Sequence, residues 1–99
     1  MKTKIVPAIH PGEILREEYL APLGMSAGAL ARKLHVPRTR IERVVTEQAP
    51  VTTNTALRLA KFFDTTPEFW MSMQTAYDLS QEAEALAQEL AEIESLQAA

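Results

Sequence analysis

Residues 25–45 hold two stretches of helical periodicity with almost nothing between them, and this constrains the fold more than any other feature of the chain. Ser26 is placed to cap the first stretch, whose Leu30, Ala31 and Leu34 fall on one side. Pro37 sets the first turn of the second, which carries Ile41, Val44 and Val45 inward. Only His35 and Val36 separate them, so the two helices must cross at close range. Ala31 is small where the next helix passes, and Ile41 is apolar where it faces back. Position 35 lies in the turn, where a left-handed backbone favours glycine; His35 adopts that conformation only at a cost. Two short helices joined in this way, the second opening on exposed bases, form a helix-turn-helix that fits a major groove.

The rest of the chain also reads as helix. His10-Pro11-Gly12-Glu13 opens a first helix with an apolar face of Ile14, Leu15, Tyr19 and Leu20, ended by Pro22 and Gly24. A loop around Pro50 leads to Thr52 or Thr53, either of which can cap a fourth helix buried through Ala56, Leu57, Leu59, Ala60 and Phe63. Thr66-Pro67-Glu68 starts a fifth, with Phe69, Trp70, Met73 and Tyr77 as its apolar face and both Phe69 and Trp70 in the core. A sixth is expected from Ser80 nearly to the C-terminus. The short β-branched runs at Val44-Val45 and Val51-Thr52-Thr53 are flanked by helix signals, so the class is all-α. Ninety-nine residues suit one domain, divided as a helix-turn-helix unit over residues 8–78 and a C-terminal helix over 79–99.

The net charge of −3 hides a segregation that matters more than its average. Five bases (Arg32, Lys33, Arg38, Arg40, Arg43) stand against Glu42 alone between positions 32 and 43, whereas six acids and no base follow from Asp78. A polyanion responds to the patch it meets within a Debye length. There is no cysteine, which excludes disulfides, thiolate nucleophiles and cysteine metal sites. His10 and His35 are the only histidines, and no metal-ligand spacing, glycine-rich phosphate loop or nucleophile accompanies the carboxylates. No enzyme, metal or cofactor is expected. Met1-Lys2-Thr3-Lys4-Ile5-Val6-Pro7 is too short in apolar residues for a signal peptide, no segment suits a membrane span, and a cytoplasmic setting follows as the default.

Arg38, Thr39 and Arg40 are the candidates for base edges. Arginine can donate two hydrogen bonds to guanine, and threonine can meet a thymine methyl or a phosphate. Arg43 is equally suited to phosphate, which positions without reading sequence. Amides at the starts of the second and fourth helices, near Ser26 and near Thr53 and Asn54, can take flanking phosphates, although plain capping explains those side chains as well. In the last segment, Leu79, Ala83, Leu86, Leu90 and Ile93 recur at spacings of four and three, a coiled-coil-like stripe that either lies on its own domain or pairs with a second subunit.

The run Ile9-His10-Pro11-Gly12-Glu13-Ile14-Leu15-Arg16-Glu17-Glu18-Tyr19-Leu20, followed by Pro22-Leu23-Gly24, resembles the opening of HigA-type antitoxins, members of the Xre/Cro-repressor helix-turn-helix superfamily. Val36-Pro37-Arg38-Thr39-Arg40-Ile41, Thr55-Ala56-Leu57-Arg58-Leu59-Ala60 and Thr66-Pro67-Glu68-Phe69-Trp70, with Gln74 and Tyr77-Asp78-Leu79, continue the resemblance in order over residues 8–80. It implies a five-helix, lambda-repressor-like domain with an additional acidic C-terminal helix. It also implies a homodimer that represses its own operon at double-stranded operator DNA and neutralises a HigB-type messenger-RNA endonuclease. The chain departs from the family pattern in three places: His35, Asn54 in place of an acid, and Glu47-Gln48-Ala49 in place of a Gly-Lys-Arg-like run. Fewer bases beside the recognition helix imply weaker operator binding with a flatter salt dependence. Two other readings share the fold: a regulator with no toxin partner, and an interaction module that no longer binds DNA. The acids of the tail also suit a basic toxin surface.

Overall fold

The computed structural model describes residues 8–98, all helix and loop. The segment Met1 to Pro7, read above for a signal peptide, lies outside the described residues. Helix α1 (residues 11–23) starts at Pro11 behind His10, whose Nδ1 accepts the Gly12 N–H at 2.8 Å. Its middle, Leu15–Leu20, winds as a π-helix, and Ala21 N–H reaches back five residues to the Arg16 carbonyl. On an α-helix, Leu15 and Leu20 would stand about 140° apart. The wider turn narrows that angle, and both are buried. Pro22, which lacks an N–H and crowds the carbonyl four residues back, makes the widening the lower-cost path.

Helices α2 (Ala27–Leu34) and α3 (Arg38–Val45) form the close pair anticipated from the sequence, and α4 (Thr53–Phe63) packs chiefly on α5 (Pro67–Ala85). The core they enclose holds Leu15, Leu30, Ile41, Leu59 and Trp70 fully buried, with Ala31 at the α2 crossing. Trp70 keeps its indole N–H satisfied on Thr65 Oγ1 at 2.9 Å, and buried Gln74 accepts the Val51 N–H at 2.7 Å, tying the α3–α4 loop to α5.

Four helices end the same way. Gly24, His35, Glu47 and Asp64 all have positive φ. At each, the next residue's N–H closes onto a carbonyl five residues back: Met25 to Leu20, Val36 to Ala31, Gln48 to Arg43 and Thr65 to Ala60. This is the Schellman exit, where glycine is favoured, and only one of the four positions has it. Gly12 is required for a different reason. A Cβ there would sit 1.9 Å from the Val44 carbonyl oxygen, so α1 passes directly against the end of α3.

Three expectations are corrected. Leu57 is 55% exposed and Phe69 is 38% exposed, because Leu59 and Trp70 take the inward positions on their helices. No separate helix starts at Ser80: α5 runs unbroken through the 78/79 division to Ala85, and α6 is only Ala87–Ala91. Leu86 breaks the winding with φ −100 and ψ 6, and after α6 only the short 3-10 turn Leu96–Ala98 follows. The stripe is therefore not a continuous coiled-coil seam. Nor does it lie on its own domain, since Leu79, Leu90 and Ile93 are 65%, 48% and 68% exposed. The Cα radius of gyration is 16.8 Å, against about 13 Å for a compact chain of this length, because the end of α5 and α6 project from the core.

Candidate nucleic-acid interface

Helix α3 is fixed at both ends, which is what a reading helix needs. Behind it, Ile41 and Val44 are buried against α2 and α1. At its C-terminus the Arg16 guanidinium of α1 donates to the Val45 carbonyl and pairs with Glu47 at 3.4 Å, a cation placed on the negative end of the helix dipole. At its start, the left-handed His35 turn sets the crossing with α2. The backbone there is the conformation expected of glycine, adopted by histidine at φ 62 and ψ 44.

With its inner face buried, α3 presents Arg38, Thr39, Arg40 and Arg43 to solvent. The four do not form one cluster. Thr39, Arg40 and Arg43 line an open groove of about 520 Å³ between α3 and the start of α4, whose opposite wall includes Pro50, Thr52 and Asn54. Asn54 Oδ1 accepts from the Arg40 guanidinium at 2.7 Å and from Arg58 Nε at 2.8 Å, and Arg58 also donates to the Leu34 carbonyl at 2.8 Å. Arg38 stands apart, lying over Gly28 near the start of α2. Its Nε is 3.3 Å from Glu42, an exposed ion pair that contributes little and releases easily when a phosphate approaches.

Ser26 Oγ accepts the Ala29 N–H at 3.0 Å and so acts as the α2 cap. The α4 cap is Thr52, accepting the Thr55 N–H at 3.3 Å, while Thr53 is the first helical residue and is not part of the groove wall. Arg58, absent from the candidates named from sequence, joins this network through Asn54. Its signal was its spacing of four from Asn54, which places both on one face of α4. Glu47, one of the departures from the family pattern, turns toward Arg16 and borders a different depression with His10, Tyr77 and Asp78. The missing bases at positions 47–49 remain missing, but the acid is neutralised away from the α3–α4 groove.

A helix held at both ends, with a row of guanidiniums over a groove of hydrogen-bonding groups, is the apparatus of a DNA-binding regulator. The comparison with known proteins agrees. Residues 15–70 match the family described as Helix-turn-helix. Virulence-associated protein I of Dichelobacter nodosus is 60% identical over 75% of this chain and 68% of its own length. Antitoxin HigA-1 of Vibrio cholerae is 37% identical over 79% of this chain and 72% of its own. A solved structure of the Pseudomonas aeruginosa antitoxin HigA with the higBA promoter superposes with a TM-score of 0.88 at 41% identity, covering 92% of this chain and 99% of that one. The chain spans 64% and 61% of two further curated helix-turn-helix regulators. This chain belongs to the helix-turn-helix family and, within it, to the HigA-type antitoxin group, a family of DNA-binding regulators and not of enzymes. Among the described residues no helix is long and apolar enough to cross a membrane.

Proposed function

We propose that this protein is a cytoplasmic antitoxin and autorepressor: it binds operator DNA as a dimer and neutralises a HigB-type messenger-RNA endonuclease. The observation that carries this is the likeness, over nearly the whole of both chains, to an antitoxin solved with its promoter. In this reading Arg40 and Thr39 meet base edges in the major groove and Arg43 holds phosphate. Arg38 reads a base or, once freed from Glu42, a phosphate. The amides near Ser26, and those near Thr53 and Asn54, take the flanking backbone. The outer face of α5, where Met71, Ala76 and Leu79 border a shallow depression, is the surface we assign to the second copy.

Two measurements test the proposal. Co-expression with a small basic protein encoded beside the gene should rescue growth arrest and yield a co-purifying complex. A reporter driven by the gene's own upstream DNA should be repressed. A second reading is favoured by the 47% and 46% identity to relatives named simply as HTH-type transcriptional regulators, higher than to HigA-1. It keeps repression and has no toxin: repression of the reporter without any rescuable neighbour would establish it.

A further inference from the structure

We propose that Arg58 is a positioning residue for DNA reading: through Asn54 it holds the Arg40 guanidinium in the orientation that α3 offers to base edges. This rests on the reading of α3 as the operator-binding helix. Three observations lead to it. First, Asn54 Oδ1 takes two hydrogen bonds at once, 2.7 Å from Arg40 and 2.8 Å from Arg58 Nε. Arginine has no acceptor, so only the amide oxygen can face both side chains, and its two lone pairs are then fully used. Second, Arg58 spends its other edge on the Leu34 carbonyl at 2.8 Å, the last α2 residue before the His35 turn. One planar fork therefore spans α4 and the turn that sets the angle of α3, which a point-charge lysine cannot reproduce. Third, Arg58 has no acidic partner among the described ion pairs and is half-buried, so neither an ion pair nor an exposed solubilising role accounts for it.

The consequence for Arg40 is directional. One terminal nitrogen is held by Asn54, leaving the opposite edge of the guanidinium, with its parallel N–H pair, free to meet a guanine. Asn54 in turn keeps its NH2 donors for a phosphate or base acceptor. An acid at position 54 would bind the same two arginines but offer no donor and would add charge that repels DNA. Without Arg58, Asn54 can rotate, and Arg40 loses the partner that selects one of its many rotamers.

The test uses the full chain and a duplex taken from immediately upstream of its own gene, together with a panel carrying each single base-pair change. Arg40→Ala first identifies the base pair that Arg40 reads, as the position where discrimination disappears. Arg58→Met should cut discrimination at that same position by roughly 10-fold, leave the other positions unchanged, and add nothing in the double variant with Arg40→Ala. Arg58→Lys, which keeps the charge, should show the same selective loss. It also serves if Arg58→Met melts below the assay temperature. Uniform weakening on all duplexes, with discrimination at the Arg40 position intact, would overturn the proposal and leave Arg58 as a plain helix tie. Wild type that binds every duplex equally would overturn the reading of α3 as well, so the two failures are distinct.

Discussion

Helix α3 and the stretch from Leu86 onward have equally regular apolar spacing, and only one of them is buried. Ile41 and Val44 are 0% and 1% exposed, whereas Leu90, Ile93 and Leu96 are 48%, 68% and 92% exposed. Periodicity marks which face of a helix is apolar; it does not supply the surface that covers it. For α3 that surface exists because Gly12 lets α1 approach and Arg16 closes over the Val45 carbonyl. For the tail no element among the described residues lies opposite, and Leu86 interrupts the helix that would have kept the stripe in line. The apolar face of the tail stays exposed, whereas that of the midsection is covered.

The sharpest way to break this contrast is at Gly12. Gly12→Ala places a methyl group against the Val44 carbonyl, and a loss of about 4 kcal/mol is expected, lowering the thermal midpoint by about 20 °C. An unchanged midpoint would mean that the α1–α3 approach is dispensable. Ile41→Ala comes next, at about 3 kcal/mol by chemical denaturation, because it empties a fully buried site beneath α3. His35→Gly should act in the opposite direction, stabilising by about 1 kcal/mol by removing the side-chain penalty of a left-handed residue. Glu47→Gly should gain less, since it also gives up the exposed pairing with Arg16.

His10 gives the contrast a pH dependence. Burial holds its pKa below the usual 6.5, against the smaller raising influence of Glu47 and Asp78. Its Nδ1 must be unprotonated to accept the Gly12 N–H. The unfolded chain then binds more protons than the folded one, so this contribution is complete above about pH 6.5 and is lost as pH falls toward and through the lowered value. Melting wild type and His10→Asn between pH 7.5 and pH 5 should show a steeper acid loss in wild type; parallel curves would remove His10 from the account. The smallest effect is expected for Ile93→Ala, within about 0.5 kcal/mol in dilute protein. A large destabilisation there would mean that the tail is covered after all.

Most of the architecture was legible because it rests on local rules. Proline at helix starts, Ser26 and Thr66 at caps, and the Leu30–Ala31–Ile41 spacing each have a single low-energy outcome. The candidate site was legible as an exposed face but not as a hydrogen-bonded network. Arg40 and Arg43 follow from helical geometry, whereas the bond from Arg58 to Leu34 spans 24 residues and has no local signature. The direction in which Glu47 faces has no local signature either. A charge in a turn is free to face either side until the distant Arg16 fixes it. The π-turn in α1 was legible only as a disturbance near Pro22, since its position also depends on which leucines find the core.

The most direct measurement is an anisotropy titration of two duplexes at physiological salt, one from the gene's own upstream region and one of scrambled sequence. Wild type should bind the first roughly 10³-fold or more tightly than the second. Arg40→Ala should lose about 1–3 kcal/mol on the first and little on the second. Equal binding of both duplexes by wild type, or an Arg40→Ala curve that overlays it, would contradict the assignment of α3 as the helix that reads DNA.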